Sequence, residues 1–327
     1  MPALVRERRD FLQLLIATAA GVPFAGRVAA QAVRVDDAIP RGVFQQQLFG
    51  TERNNVSVIR GAGGNVVVAT DATWLNAATS TLVVNGGTSA HATNLLGTLS
   101  AGRTPIKYLF NTDWHPENTG LNLAVAEAGG QILAHEFTKQ YLSIDRPVEW
   151  RNRTYKPLPA KALPTKTFTK AGSMDFGGQT IEYGPLGQAH TDGDIYVFFR
   201  DRDTNALVVG DIMTVGKYPI ADYSSGGWLG GLITATKTLL DLAGPDTTII
   251  PGDGPLQKRS DLQAQYDMLS ASRDAFVKMM RQGMSAEEML TAGATKAFDA
   301  RWGNPELFVK TSYRSLWLHV REVGGIV

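Results

Sequence analysis

Cysteine is absent from this sequence of 327 residues, and histidine is scarce, with only five residues. The absence of cysteine excludes disulfide frameworks, iron–sulfur clusters, thiolate metal sites and cysteine nucleophiles. A bound metal ion would therefore have to be held by imidazole, carboxylate or amide groups. The histidines that could contribute are His91, His115, His135, His190 and His319.

The sequence also lacks an excess of charge of either sign, since its formal net charge is +1. Proteins that bind nucleic acids or anionic membranes usually carry a basic excess or a basic stripe. We therefore expect no nucleic-acid partner. A hydrophobic content of 43% with 19% charged residues is typical of a folded globular protein and excludes wholesale disorder.

Long hydrophobic runs are missing as well. The apolar run at 14–22 is too short to span about 30 Å of hydrocarbon at about 1.5 Å per residue. It follows the pair Arg8-Arg9 and precedes Ala30-Gln31-Ala32, an order typical of a twin-arginine signal peptide. We predict a signal peptide at 1–32 and one domain at 33–327, which would be periplasmic or secreted and free of the membrane after cleavage. The alternative is an amphipathic N-terminal helix with an accidental arginine pair.

Short β-branched runs separated by glycine or asparagine predict strands first, and then an alternation of strands and helices. Residues 145–170 are rich in proline, lysine and arginine and predict a long surface loop. Residues 256–281 predict a helix, and Ser285 begins a capping box with Glu288. The pattern favours an α/β protein with two sheets rather than one doubly wound sheet.

Polar side chains follow the predicted strand 106–110 at the point where it ends. The segment 111–120, NTDWHPENTG, contains Asp113, His115, Glu117 and Asn118. Loops at the carboxyl ends of strands are the usual place for sites in α/β folds, and this density of oxygen and imidazole groups suits a divalent cation. The competing interpretation is a solvated turn with an Asn or Asp cap.

Three further strand ends carry a side chain that can bind a metal. His190 lies in the turn 187–194, Asp211 follows Gly210, and Asp253 lies in the sequence PGDG at 251–254. Glycine beside these residues allows the backbone to approach closely. Convergence of four strand ends on such residues favours one shared site.

In this order, the four segments resemble the motifs of the metallo-β-lactamase fold superfamily. The pattern of that family is N-T-H-x-H-x-D-H-x-G, then G-x-x-H-T-x-G-D, then G-D, then P-G-H-G, and the likeness covers about 43–255. The Gly226-Gly227 loop and the predicted C-terminal helices resemble the secreted, cyclase-like hydrolase branch. The resemblance implies an α/β fold with a four-layer αββα sandwich.

Three of the five histidines in the family's two metal sites are replaced here. The resemblance implies a first site of Asp113, His115 and His190, and a second site of Glu117, Asn118 and Asp253. Asp211 would be shared between the two sites. The first set suits Zn²⁺, which we expect foremost, and also Fe²⁺ or Mn²⁺, whereas the second, oxygen-only set favours Mg²⁺, Ca²⁺ or Mn²⁺ or stays empty. We expect one or two divalent ions.

The resemblance further implies a periplasmic metal-dependent hydrolase that uses a metal-activated water on an ester, lactone, amide or similar bond of a small molecule. Glu117 would act as the base, and Asp211 would also be catalytic. Two alternatives remain, namely a catalytically degenerate binding protein on the same fold and a mononuclear iron protein. The substrate and the oligomeric state are not predicted.

The remaining histidines and several aromatic residues have weaker signals. His91, His135 and His319 are expected to have structural roles. Trp228 and the nearby tyrosines, Tyr218 and Tyr223, are candidates for the wall of a substrate pocket, and loop anchoring is the alternative for each.

Overall fold

The structure is a computed structural model that describes residues 44–49, 56–72, 76–100, 104–201, 203–322 and 324–325. The predicted signal peptide at 1–32 lies outside these residues. Numbered along the chain, the strands are β1 (Gln45–Phe49), β2 (Val56–Arg60), β3 (Val66–Thr70), β4 (Thr81–Val84), β5 (Ile106–Phe110), β6 (Gln131–His135), β7 (Arg146–Val148), β8 (Arg153–Tyr155), β9 (Lys166–Phe168), β10 (Gly172–Phe176), β11 (Gln179–Gly187), β12 (Asp194–Phe199), β13 (Ala206–Thr214), β14 (Thr248–Asp253) and β15 (Gln257–Lys258).

The α-helices follow or join these strands. They are α1 (Ala92–Ser100), α2 (Pro116–Thr119), α3 (Asn122–Glu127), α4 (Glu136–Leu142), α5 (Leu229–Leu242), α6 (Arg259–Arg281), α7 (Ala286–Thr291), α8 (Asp299–Trp302) and α9 (Glu306–Leu318). The predicted capping box at the start of α7 is present, because Ser285 and Glu288 exchange hydrogen bonds between side chain and backbone. No described helix is both long enough and apolar enough to cross a membrane.

Two large sheets carry the fold. The first has the order β1-β2-β3-β4-β5-β6-β9, antiparallel from β1 to β4 and parallel from β4 to β9. The second has the order β10-β11-β12-β13-β14-β15, with β13 and β14 parallel. The change to parallel pairing needs crossover connections, and helices supply them.

Side chains that alternate along each strand divide the core into layers. Leu82 of β4 and Val208 of β13 belong to the core between the two sheets. Val83 belongs to a core cluster on the other face together with Leu95 of α1, whereas Leu207 belongs to the cluster that contains buried residues of α5, α6 and α9. The layers therefore run helices, sheet, sheet, helices, which confirms the predicted αββα sandwich.

The predicted long loop at 145–170 is wrong in part. This segment contains the hairpin β7–β8, with the 3-10 helix Glu149–Arg151 between the strands, and it ends in β9, which pairs with β6 at the edge of the first sheet. Val148 is buried with Trp114 and Leu142, so the hairpin is anchored on an apolar cluster. Strands of three residues give too short an alternation to be seen in a segment rich in charge and proline.

Candidate metal centre

The loop after β5 is held in place by amide side chains. Thr112 donates its backbone N–H to Asn85 Oδ1 at 2.9 Å, and Asn85 has a left-handed backbone with φ of 65°. Asn111 donates from Nδ2 to the carbonyl of Asn118 at 3.0 Å and to Asn122 Oδ1 at 3.0 Å. These bonds close the loop on itself, so that its next residues face inward.

Asp113 is buried and receives all its hydrogen bonds from the same loop. Asp113 Oδ1 accepts from the backbone N–H of His115 at 2.7 Å, and Nδ2 of Asn118 lies 2.9 Å from each of the two carboxylate oxygens. The amide of Asn118 thus presents its N–H₂ group, and not its oxygen, to Asp113. It also lies 3.3 Å from Asp211 Oδ2, so it donates to two carboxylates at once.

His115 is fully buried and is oriented by a carboxylate that the sequence did not single out. Its Nε2 lies 3.0 Å from Oδ2 of Asp222, which is also buried. Trp150 Nε1 donates to Asp222 Oδ1 at 2.8 Å, and Ser225 Oγ donates to Oδ2 at 2.8 Å. Burial opposes ionisation, but the bonds from His115 and Trp150 outweigh it and hold the pKa of Asp222 well below its usual range. Because the carboxylate only accepts, Nε2 of His115 carries the hydrogen and Nδ1 carries the lone pair.

His190 is oriented in the same way by a backbone carbonyl. Its Nδ1 donates to Ile220 O at 2.7 Å, which leaves the lone pair of a neutral ring on Nε2. That Nε2 lies 2.8 Å from Nδ1 of His115. Two neutral rings would therefore aim their lone pairs at each other, so this arrangement calls for a cation, either a proton or a metal ion.

Asp211 of β13 is the carboxylate nearest to this pair of imidazoles. Its Oδ2 lies 3.8 Å from His190 Nε2, and the side chain is 10% exposed. The end of β14 packs directly against it, since a Cβ atom on Gly252 would lie 2.0 Å from Asp211 Oδ1. Burial and the charge of Asp113 raise the pKa of Asp211 to about 6. Although burial acts in the opposite direction, Asp211, Asp113 and Asp194 raise the pKa of His190 to about 9.

Among the residues that the structure describes, His115, His190 and Asp211 are the one group of three His, Asp or Glu side chains whose ligand atoms lie within 4.8 Å of one another. Histidines that bind metals usually donate their second ring N–H to a carboxylate or a backbone carbonyl, as both rings do here. Two imidazoles and a carboxylate fit Zn²⁺, Fe²⁺ or Mn²⁺. The donor set thus fits a divalent metal ion.

Glu117 and Asp253, two predicted ligands of a second ion, are paired with basic side chains instead. Arg151 donates from Nη2 to Glu117 Oε1 at 2.5 Å and from Nη1 to Oε2 at 3.2 Å. Burial opposes the effect, but the bond with Arg151 dominates and lowers the pKa of Glu117 to about 2. Asp253 lies 3.1 Å from Nζ of Lys217, and its side chain is 51% exposed.

The predicted site residues therefore fall into three sets. His115, His190 and Asp211 come together, with their candidate ligand atoms within 4.8 Å of one another. Asp113 and Asn118 lie beside them but are hydrogen-bonded to each other. Glu117 lies on the exposed side in an ion pair, and Asp253 lies at the surface.

Asp222, Trp150 and Arg151 belong to the site and were missed from the sequence. Asp222 lies in a loop without a recognisable motif, and it reaches His115 across 107 positions of the chain. Trp150 and Arg151 lie in the segment predicted as a surface loop. The adjacent tryptophan and arginine were the signal in that segment that could have indicated a functional site. A surface role would explain the same two residues equally well.

The other residues of interest have mostly structural contacts. His91 Nδ1 lies 2.8 Å from Thr88 Oγ1, and His135 caps α4 by accepting from the backbone N–H of Phe137. His319 stacks on Trp228 with the ring centroids 4.4 Å apart, and Tyr218 is buried with its hydroxyl on Asp299.

A cavity of about 520 Å³ shares one lining residue with the surroundings of the centre, and its lining includes none of His115, His190 and Asp211. Trp150 forms part of its lining and also donates to Asp222, which connects the cavity with His115. Of the predicted pocket-wall residues, Tyr223 lines this cavity, whereas Trp228 lines a different one. The residues around the cavity of about 520 Å³ are Trp150, Tyr223, Asn304, Glu306, Leu307, Lys310 and Thr311.

Comparison of the fold with solved structures gives clear neighbours at low sequence identity. A metallo-β-lactamase from Pontibacter korlensis is 16% identical, with a TM-score of 0.51 over 70% of this chain and 99% of that chain. The stereoselective inverting sec-alkylsulfatase Pisa1 from Pseudomonas sp. is 14% identical, with a TM-score of 0.59 over 79% of this chain and 48% of that chain. The metallo-β-lactamase DIM-1 is 14% identical, with a TM-score of 0.52 over 69% and 97% of the two chains.

No protein-family model matches the sequence, and no curated protein matches it. The likeness therefore lies in the fold, and it agrees with the αββα layers and with the order of the loop motifs. The protein has the metallo-β-lactamase fold, as the sequence resemblance predicted.

Proposed function

We propose that the protein is a metal-dependent hydrolase whose metal ion is held by His115, His190 and Asp211. One observation carries this proposal: the outer partners of both imidazoles leave their lone pairs aimed at a single point beside a carboxylate. When bound, the metal would lower the pKa of a water molecule and polarise the bond to be cleaved. The neighbouring folds carry the names of β-lactamases and an alkylsulfatase, which agrees with a hydrolase.

The surrounding residues have positioning roles in this proposal. Asp222 and the carbonyl of Ile220 fix the tautomers and orientations of His115 and His190. Arg151 holds Glu117 as an anion at the exposed side of the centre. Since that pairing makes Glu117 a weak proton acceptor, we assign it no proton transfer, and its predicted role as the base stays a prediction.

The substrate we propose is a small molecule with an ester, lactone, amide or similar bond. A cavity of about 520 Å³ falls within the range that small-molecule sites occupy, and Trp150 joins it to the centre. We also propose export to the periplasm or the outside of the cell through the segment 1–32, with no partner among nucleic acids or membranes after cleavage. This location rests on the sequence pattern alone.

The test is element analysis of the purified protein together with hydrolysis assays on esters, lactones and amides. We expect bound zinc, manganese or iron, activity that a chelator removes, and activity that the returning metal restores. Protein that holds no metal after loading and cleaves none of these bonds would contradict the proposal. Iron with a visible colour would instead favour the mononuclear iron protein.

A degenerate binding protein is the second candidate, and the ion pairs of Glu117 and Asp253 favour it. Both carboxylates are already neutralised by basic side chains of the same chain. A protein that binds a small molecule in the cavity beside Trp150 without metal or turnover would support this candidate.

A further inference from the structure

We propose that the guanidinium of Arg151 takes the place of a second metal ion, so that the centre holds one ion and Glu117 is not a metal ligand. The inference rests on the proposed function, because it concerns the metal content of the same centre. The acidic side chains of the site differ in the groups that balance their charge. Asp113 and Asp222 are satisfied by hydrogen bonds, and Glu117 is satisfied by Arg151, so Asp211 is left as the carboxylate for a metal.

The guanidinium contacts both the carboxylate of Glu117 and the imidazole of His115. Its Nη2 contacts Glu117 Oε1 at 2.5 Å on one side and lies 3.5 Å from His115 Nδ1 on the other. Both Arg151 nitrogens engage the two oxygens of Glu117, which is the bidentate geometry that arginine forms with carboxylates. A metal ion bound to Glu117 would have to displace this cation.

Arg151 is fixed in this position by its surroundings. Its Nη1 donates to Tyr155 OH at 3.2 Å, and its guanidinium lies 4.6 Å from the ring centre of Trp150. The 3-10 helix that carries it is followed by the capping residue Asn152, which has a left-handed backbone with φ of 46°. The side chains of Arg151 and Glu117 are 23% and 22% exposed, so the pair is partly shielded from water.

The other two positions of the predicted second site also have partners from this chain. Asp253 pairs with Lys217, and the amide of Asn118 points its N–H₂ group toward Asp113 and Asp211. An amide nitrogen is not a metal ligand. Both carboxylates of the predicted second site are therefore paired without a second metal ion, whereas Oδ1 of Asn118 is buried and has no hydrogen-bond partner among the described residues. A guanidinium stays charged at any ordinary pH.

The experiment counts zinc ions by equilibrium dialysis and element analysis on the folded protein. We expect about one ion per chain in the unchanged protein and about two in Arg151→Met, because Glu117 is then free to bind. Arg151→Lys keeps the charge, and Arg153→Met removes an exposed arginine from the same hairpin, so both should stay at about one ion. The double variant Glu117→Gln with Arg151→Met should also return to about one ion.

The outcomes separate this inference from the proposed function. One ion in both the unchanged protein and Arg151→Met, or two ions in the unchanged protein, would overturn the role of Arg151 and leave the metal hydrolase standing. No ion in the unchanged protein would remove both. If Arg151→Met fails to fold, Arg151→Gln gives the same count with a milder change. The double variant should also keep its affinity for the ion at His115, His190 and Asp211. A loss of that affinity beyond about 10-fold would count against the inference, since it would show that Glu117 is a ligand of this ion.

Discussion

The centre has an inner part and an outer part, and their charged and polar side chains find partners in opposite ways. In the inner part, His115, His190 and Asp211 have buried or nearly buried ligand atoms, and the two imidazole nitrogens that carry the lone pairs lie 2.8 Å apart. In the outer part, Glu117 and Asp253 are paired with Arg151 and Lys217. A buried set of acceptors needs a cation from outside, whereas a partly exposed carboxylate can be neutralised by a flexible basic side chain.

This difference is the basis of the metal centre proposed for a scaffold with few histidines. Asp222 and the carbonyl of Ile220 hydrogen-bond to the two imidazoles and fix their orientation, so the rings are ready to bind a metal. The outer set needs no metal because its charges are balanced within the chain. We therefore expect changes in the inner part to alter metal content strongly, and changes in the outer surface to alter it little.

Replacement of His190 by Gln is expected to have the largest effect. The change removes one of two imidazole ligands, so zinc affinity should fall by more than about 100-fold, and hydrolysis should disappear with the metal. Zinc titration and activity assays on the same preparations measure both. If metal-free His190→Gln still hydrolysed its substrate, the proposed chemistry at this centre would be refuted.

The pH dependence of zinc affinity should be nearly as large. In metal-free protein the pKa of His190 is raised to about 9, so the ring is protonated at pH 7 and must lose a proton when metal binds. Zinc affinity should therefore rise by about 10-fold per pH unit from 7 to 9 and then level off.

The same shift has a consequence for folding. Because the folded pKa lies above the ordinary value of 6.5, the charged ring stabilises the metal-free protein at low pH. That stabilisation should be complete below about pH 6.5 and should be lost as the pH rises through about 9. Denaturation of metal-free protein at several pH values measures it, and a stability that is flat from pH 6 to pH 9 would contradict this assignment.

Replacement of Asp222 by Asn tests how much the orientation of His115 contributes. The neutral side chain no longer fixes the hydrogen on Nε2, so zinc affinity should fall by about 10- to 100-fold while the fold persists. Zinc titration gives the affinity, and far-ultraviolet circular dichroism monitors the fold. Unchanged affinity in a folded variant would show that Asp222 has no positioning role.

Replacement of Lys217 by Met should have the smallest effect and serves as the outer control. Its ion pair with Asp253 is exposed, and such pairs contribute no more than about 1 kcal/mol. Zinc content and activity should stay as in the unchanged protein. A clear loss of zinc here would mean that the outer part contributes to the metal centre after all.

The two sheets could be predicted from local patterns, and the resemblance of the loop motifs to the metallo-β-lactamase fold implied the four layers and the nearness of His115, His190 and Asp211. Short β-branched runs define the strands, and strand ends that meet at one edge of a sandwich bring their polar residues together. The hairpin β7–β8 could not be predicted, because its strands have three residues each. Because this hairpin was predicted as a surface loop, Trp150 and Arg151 were not recognised as site residues. Trp150 contacts Asp222, and Arg151 contacts Glu117.

The amino-acid sequence by itself determined the absence of thiolate chemistry, the two-sheet α/β class and the candidate residues for a metal site. Only the tertiary structure decided which of these residues are still available for one. Charge neutralisation depends on segments far apart in the chain, such as Arg151 with Glu117 over 34 positions and Asp222 with His115 over 107. Such contacts carry no local pattern, because a single arginine or aspartate in a loop has the same sequence signal whether it faces water or a buried partner.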